Sequence, residues 1–118
     1  METPDQARTT DATTMAALRA FVRKVAMRTD FSGAILFGSR ARRSHQPDSD
    51  ADVAILLDGS PGKFVQTKLE LDDLAYEILL ETGMRIQPLP VWQSEWEHPE
   101  NYSNPHLLQN IAREGIRL

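Results

Sequence analysis

The segment from Gly33 to Leu57, GAILFGSRARRSHQPDSDADVAILL, decides the fold of this chain. It starts with an apolar run at 34–37, passes through a glycine-serine pair at 38–39 into a basic, polar stretch, and ends in a second apolar run at 50–57. Short apolar runs bounded by glycine and polar residues are typical of strands. The segment therefore predicts a strand, a tight turn with a short helix and loop, and a second strand that carries two carboxylates near its start.

Those carboxylates, Asp50 and Asp52, are predicted to share one face of the second strand, about 7 Å apart, because side chains alternate along a strand. If the two carboxylate groups approach to about 4 Å, they repel by about 4 kcal/mol at an effective dielectric near 20. The pair therefore favours a proton, a cation or solvent between its members. Mg²⁺ fits, since it takes oxygen ligands and is typically held by one or two carboxylates plus substrate phosphates. The sequence predicts a magnesium site at this pair.

The turn at Gly38 and Ser39 is suited to phosphate. Gly38 has no Cβ, so the backbone can approach a ligand closely, and Ser39 is predicted to open a short helix whose unpaired N–H groups suit an anion. Arg40 and Arg42 are candidate phosphate ligands, because guanidinium groups pair bidentately with phosphate; a solvated loop explains them equally well. A phosphate site beside a carboxylate pair indicates nucleoside triphosphate chemistry.

The Gly-Ser pair, ten intervening residues and Asp-x-Asp resemble the signature of the DNA polymerase beta-like nucleotidyltransferase superfamily. The string GSRAR…SDAD is similar to its small bacterial members, the minimal nucleotidyltransferase (MNT) proteins, several of which are antitoxins paired with HEPN-domain toxins. The resemblance implies that Gly38 and Ser39 hold ATP or another nucleoside triphosphate, and that Asp50 and Asp52 are catalytic residues that bind one or two Mg²⁺ ions. It also implies transfer of a nucleoside monophosphate, AMP from ATP, to a hydroxyl of a partner protein such as a HEPN toxin.

Two positions depart from this pattern. Minimal members commonly have glycine after GSxAR, where this chain has Arg43. Catalytic members place a third carboxylate on a later strand, and in the candidate strand at 84–91 that third-ligand position is taken by Gln87. An amide can orient a hydroxyl but cannot take its proton. The sequence therefore leaves two functions open: an enzyme, and a binding module of the same fold that neutralises or positions a partner protein without chemistry.

Composition excludes several classes of protein. The 118 residues suit one domain, the absence of cysteine excludes disulfides and thiolate metal sites, and no apolar stretch reaches the roughly 20 residues that span a bilayer. A net charge of −4 does not favour binding to duplex nucleic acid. We expect a cytoplasmic protein, monomeric or oligomeric, whose partners are a nucleoside triphosphate and another protein.

The whole chain is predicted to form an α/β (α+β) fold, with a small mixed sheet of three or more strands flanked by helices. Residues 1–12 are polar and predict a disordered tail, and residues 13–118 a single minimal nucleotidyltransferase domain that opens with an amphipathic helix at 13–29. Cap residues predict a long helix that starts at Ser60-Pro61 and ends at Gly83, and a last helix that starts at Asn104-Pro105.

Three aromatic residues, Trp92, Trp96 and Tyr102, lie in one short polar stretch. We expect them to pack a loop over the core; the alternatives are a partner surface, where Trp and Tyr often act as anchors, and stacking on a nucleotide base. His98 and His106 have no convincing third ligand nearby, so they do not predict a zinc site.

Overall fold

The computed structural model describes residues 4–44, 46 and 49–118, with side chains from residue 12 onward. The elements follow each other in this order: α1 (Pro4–Val25), β1 (Phe31–Phe37), α2 (Ser39–Arg42), β2 (Ala51–Leu57), α3 (Phe64–Thr82), β3 (Ile86–Trp92), α4 (Gln93–Glu97), a single 3₁₀ turn (Pro99–Asn101), α5 (Pro105–Glu114) and β4 (Ile116–Arg117). This is the mixed α/β arrangement with flanking helices that the sequence predicted, with a fourth, very short strand added.

The sheet has the strand order β3-β2-β1-β4. β1 runs antiparallel to β2 and to β4, whereas β2 and β3 are parallel, because α3 supplies the crossover that a parallel pair requires. β3 is an edge strand and carries Pro88 and Pro90. The Ala51 N–H donates to the Arg85 carbonyl, so the odd-numbered residues of β3 bond to β2 and the missing N–H groups of both prolines fall on the outer edge.

Apolar residues cover both faces of the sheet. Val53, Ile55 and Leu57 of β2 belong to the core formed with α1 and α3, and Ala54 and Leu56 belong to the core formed with α5. This alternation is the period of two expected of a strand. By the same alternation, Asp52, the second residue of β2, lies on the side of the sheet that α5 covers.

α1 begins at Pro4, so the backbone of residues 4–12, which we predicted as part of a disordered tail, is helical; residues 1–3 lie outside the described residues. Proline is tolerated in the first turn of a helix, and extending an existing helix costs far less than nucleating one. The helix ends at Val25 instead of residue 29, and a turn then leads into β1.

α3 starts at Phe64, with Lys63 as its N-cap, and the predicted start at Ser60-Pro61 is wrong. The preceding loop is tied to a distant part of the chain, since the Ser94 N–H donates to the Gly59 carbonyl oxygen at 3.2 Å. The predicted end at Gly83 is confirmed, and this glycine has a φ of 78°, the left-handed conformation of a helix cap.

α5 starts as predicted: Asn104 is the N-cap, and its side chain accepts a hydrogen bond from the Leu107 N–H at 3.3 Å. The helix ends at Gly115, whose φ is −70°, so glycine is needed there for a different reason. A Cβ at this position would collide with the Ile111 carbonyl oxygen and with the Ile35 side chain. This close approach lets the chain turn directly into β4 beside β1.

The aromatic stretch packs against the two cores. Trp92 is buried in the α1/α3 core, and Trp96 and Tyr102 pack, partly buried, against the α5 core. Among the expectations for these residues, the structure supports packing. None of the helices in the described part of the chain combines the length and the hydropathy that a bilayer-crossing segment requires.

Candidate active site

Gly38 brings the predicted phosphate turn against one of the two acids. β1 ends at Phe37, which pairs with Asp52 of β2, and Gly38 then turns the chain with a φ of 75°. A Cβ at Gly38 would lie 2.5 Å from Asp52 Oδ2. Only glycine meets both demands, because it tolerates positive φ and leaves room for the carboxylate.

Asp50 lies just before the start of β2 and is held from β3. The Gln87 amide donates a hydrogen bond from Nε2 to Asp50 Oδ2 at 3.2 Å, and Arg85 Nε lies 3.6 Å from Asp50 Oδ1. In the strand register Gln87 is also the partner of Asp52. Gln87 therefore lies beside both acids, and the family resemblance implies a third carboxylate at this position.

The electrostatics of this pair favour a bound cation. Burial raises the pKa of Asp52, the negative charge of Asp50 raises it further, and the Arg42 guanidinium lowers it. The ionised form of Asp52 is thus disfavoured by its surroundings, and a positive charge between the two acids would relieve this. Two carboxylates are also the kind of donor set that Mg²⁺ takes from a protein.

A complete metal cage made by the protein is absent from the residues that the structure describes: they include no group of three or more His, Cys, Asp or Glu that could hold an ion. Mg²⁺ commonly keeps several waters and shares its coordination shell with substrate phosphates. The residues present therefore fit a magnesium ion that is held by Asp50 and Asp52 and completed by phosphate and water.

Arg40 has a role other than the one predicted. Its side chain is buried, donates from Nε to the Ser49 carbonyl at 2.9 Å, and donates from Nη1 to Thr14 Oγ1 at 3.4 Å. The guanidinium thus fastens the residue that precedes Asp50 to α1. This placement does not support Arg40 as a phosphate ligand and makes it a positioning residue for the acid pair.

Arg42 remains available at the site. Its side chain is half exposed, it acts on the pKa of Asp52, and its Nη1 lies 3.4 Å from Glu114 Oε2 of α5. Sequence reasoning missed Glu114, since nothing in the chain signals that the end of α5 returns to this point. It also missed Arg85, which could have been found because it lies two positions before Gln87.

Arg43 explains one departure from the minimal nucleotidyltransferase pattern. It ends α2 with a φ of 58°, in the left-handed region, and among the described residues other than glycine it alone has a positive φ. Glycine adopts this conformation at little cost, whereas a side chain is strained in it. A conformation that favours glycine is therefore present here with an arginine.

The fold and the site define a nucleotidyltransferase-like protein, and comparison with known proteins gives the family. The family described as Polymerase beta, Nucleotidyltransferase matches residues 22–91, more than half of the chain, and this range contains the site from Gly38 to Gln87. The chain belongs to this polymerase beta-like nucleotidyltransferase family.

A solved structure from Sulfolobus solfataricus, described provisionally as a nucleotidyltransferase, is similar, with a TM-score of 0.64 and 14% sequence identity, over 99% of this chain and 89% of that one. At this identity the likeness shows the fold alone. No curated protein matches the chain.

Proposed function

We propose that this chain is a Mg²⁺-dependent nucleotidyltransferase that transfers a nucleoside monophosphate, AMP from ATP, to a hydroxyl group of a partner protein. The close approach of Gly38 to the Asp52 carboxylate carries the proposal, since a Cβ on that glycine would lie 2.5 Å from the acid. A phosphate-binding turn and a cation-binding acid pair are useful together only if a triphosphate can touch both at once.

The residues divide the work as follows. Asp50 and Asp52 hold Mg²⁺, which when bound neutralises charge on the phosphates. Gly38 and Ser39 hold the triphosphate, as the family resemblance implies. Arg42 reaches the terminal phosphates, and to do so it exchanges its contact with Glu114 for one with phosphate. These contacts hold the α-phosphorus in line for attack.

In the transfer, the acceptor oxygen forms a bond to the α-phosphorus while the bond to pyrophosphate breaks. Gln87 can orient the acceptor hydroxyl through its amide but cannot take the proton. The proton therefore goes to a carboxylate of the pair or to water. We expect transfer to be slower than in a site with a third acid, because a positioned general base contributes about 10²- to 10⁴-fold.

The resemblance of GSRAR…SDAD to MNT antitoxins suggests the partner. We propose that the acceptor is a hydroxyl of a HEPN-type toxin, and that the transfer silences this toxin in the cytoplasm. A neighbouring gene that encodes a HEPN-type protein would support the pairing.

The test uses ATP labelled at the α-phosphate, Mg²⁺ and the candidate acceptor, a HEPN-type protein encoded by a neighbouring gene. We expect label on that protein with the wild type, and none with Asp52→Asn or with excess chelator. Asp58→Asn, the same chemical change at an exposed position in the loop after β2, should transfer normally. Absence of label with the wild type, or equal transfer by Asp52→Asn, would reject the proposal.

A second candidate function is a binding module that neutralises a partner without chemistry. Both Gln87 and Arg85 contact Asp50, so protein groups satisfy this acid in the way a cation would, and this favours a site that has lost catalysis. Here Asp50→Asn and Asp52→Asn would still neutralise the toxin in growth assays, although no label would be transferred. Loss of neutralisation together with loss of transfer would exclude the binding module.

A further inference from the structure

α3 exposes a row of large apolar side chains on the side that faces away from the core. The exposed fractions are 69% for Val65, 59% for Leu69, 59% for Tyr76 and 69% for Leu80. At about 100° per residue, these four side chains lie within about 60° of each other and span about 22 Å along the helix. We call them the outer stripe of α3.

The four side chains form two pairs on one side of α3, Val65 with Leu69 and Tyr76 with Leu80, each with the i, i+4 spacing of neighbours on a helix surface. Apolar residues scattered singly over a surface are normal, whereas apolar side chains grouped on one helix face with a polar rim mark an interaction site. One end of the stripe also borders a shallow depression of about 660 Å³, which is lined by Phe64, Val65 and Leu69 together with polar neighbours. A partner side chain could be seated there.

The other end leads to the candidate active site. Tyr76 of the stripe lines a groove of about 200 Å³ between α3 and β3, and Arg85 and Gln87 line the same groove. Both of these residues also contact Asp50. Tyr76 therefore links the outer stripe to a groove whose other side carries the side chains that contact Asp50.

We propose that the outer stripe and this groove dock an amphipathic helix of the acceptor protein, and that the docked helix brings its hydroxyl side chain to Gln87 and Asp50. The inference rests on the proposed function and adds to it the surface that selects the acceptor. A small acceptor would not need a surface about 22 Å long, which matches about four turns of a helix.

The edge of the sheet argues for a helix over an added strand. β3 is the edge strand on this side, and Pro88 and Pro90 cannot donate hydrogen bonds from its outer edge. A strand that paired there would lack two of its ladder bonds. A helix, by contrast, uses side chains alone, and the stripe provides the apolar partners for them.

The charged residues beside the stripe indicate which charge the partner helix carries. One flank of the stripe has four acidic side chains, and among the described residues only two basic side chains, from α1 and the turn after it, pair with them, so the flank has a net negative charge. Lys24 pairs with Glu77 and Glu81, and Arg28 pairs with Glu70, while Asp73 completes the set. We therefore expect the docked helix to carry Lys or Arg on the side that meets this flank.

The test measures binding of the candidate acceptor, a HEPN-type protein encoded by a neighbouring gene, to the wild type and to Leu69→Lys and Leu80→Lys by biolayer interferometry. We expect each stripe variant to raise the Kd at least about tenfold, since burying a charge against an apolar helix is unfavourable. Met27→Lys is the matched control: Met27 is 86% exposed and lies outside the stripe, so its Kd should stay within about twofold of the wild type.

Two further measurements separate docking from chemistry. Binding of a fluorescent ATP analogue with Mg²⁺ should be the same in all three lysine variants, which also shows that they are folded. Asp52→Asn should lose label transfer and keep the wild-type Kd for the partner. If the stripe variants bind the partner like Met27→Lys, or if the wild type does not bind it, the docking proposal fails. If docking depends on the stripe but no label moves, the proposed transfer fails and the docking surface stands.

Discussion

Asp52→Asn should stabilise the metal-free protein while it abolishes transfer. The aspartate is partly buried, faces the charge of Asp50, and has a raised pKa for both reasons. Asparagine keeps the shape of the side chain and removes the charge. The change therefore removes an electrostatic cost of the folded state, with little effect on packing.

The size of this effect follows from the spacing of the two acids. Residues two positions apart in an extended chain are about 7 Å apart, so the repulsion lies between about 0.6 kcal/mol at a dielectric near 80 and about 2.4 kcal/mol at a dielectric near 20. The Asp50 side chain is 36% exposed, and Arg42 offsets part of the repulsion, so we expect a gain of about 1 kcal/mol. For a domain of this size, that raises Tm by about 3–6 °C.

The pH dependence gives the sign of the effect. Because the pKa of Asp52 is raised in the folded protein, the native state holds this proton more tightly than the unfolded state does. The wild type therefore loses stability as pH rises from the ordinary value of 3.8, and the loss is complete once the pH is well above the raised pKa. The advantage of Asp52→Asn should be largest at neutral pH and should vanish in more acidic buffer, where the carboxylate is protonated in both states.

The assay is urea unfolding in metal-free buffer across this pH range. Asp73→Asn, the same substitution at an exposed position on α3, is the control and should change stability little. Added Mg²⁺ should stabilise the wild type and have little effect on Asp52→Asn, because a ligand stabilises only the state that binds it. If Asp52→Asn is less stable than the wild type at neutral pH, or if its gain is the same in acid, the electrostatic reasoning is refuted.

Three other substitutions test the remaining features of the site. Gly38→Ala should lower the free energy of unfolding, measured in urea, by at least about 2 kcal/mol, and the control Gly59→Ala by about 1 kcal/mol. Gly59 has a similar φ of 84° but no atom within 4 Å of an added Cβ. Equal losses would mean that Asp52 does not crowd the turn. Gln87→Glu should lower metal-free stability, since it adds a third negative charge, and raise the rate of label transfer at least about tenfold; an unchanged rate would show that no base is missing. Arg43→Gly should raise the free energy of unfolding by up to about 1 kcal/mol, and a loss of stability would show that the left-handed residue is not strained.

The central features of the fold were predictable because local and global signals agree there. The apolar runs on either side of Gly38 and Ser39 form β1 and β2, and the predicted mixed sheet is present. Gly83 and Asn104 also mark helix ends as predicted, because each acts through atoms within one turn of its own position. Signals of this short range can be read directly from a sequence.

The failures have the opposite cause. Ser60 and Pro61 look like a helix start, but the loop before them is tied to Ser94 through the Gly59 carbonyl, and the helix begins only after Lys63. Arg40 looks like its neighbour Arg42, and only the packing of α1 decides that one guanidinium is buried and the other exposed. No local pattern records where a distant segment will pack.

The buried guanidinium of Arg40 has a consequence for the energetics of ligand binding. It joins Thr14 of α1 to the carbonyl just before Asp50, so the approach to the first acid is immobilised when the domain folds. The entropic cost of ordering that acid therefore arises during folding, and it does not reduce the affinity for a ligand that binds afterwards. Ligand affinity at the acid pair is thereby made sensitive to a threonine in the first helix, a residue outside both the acid pair and the phosphate turn.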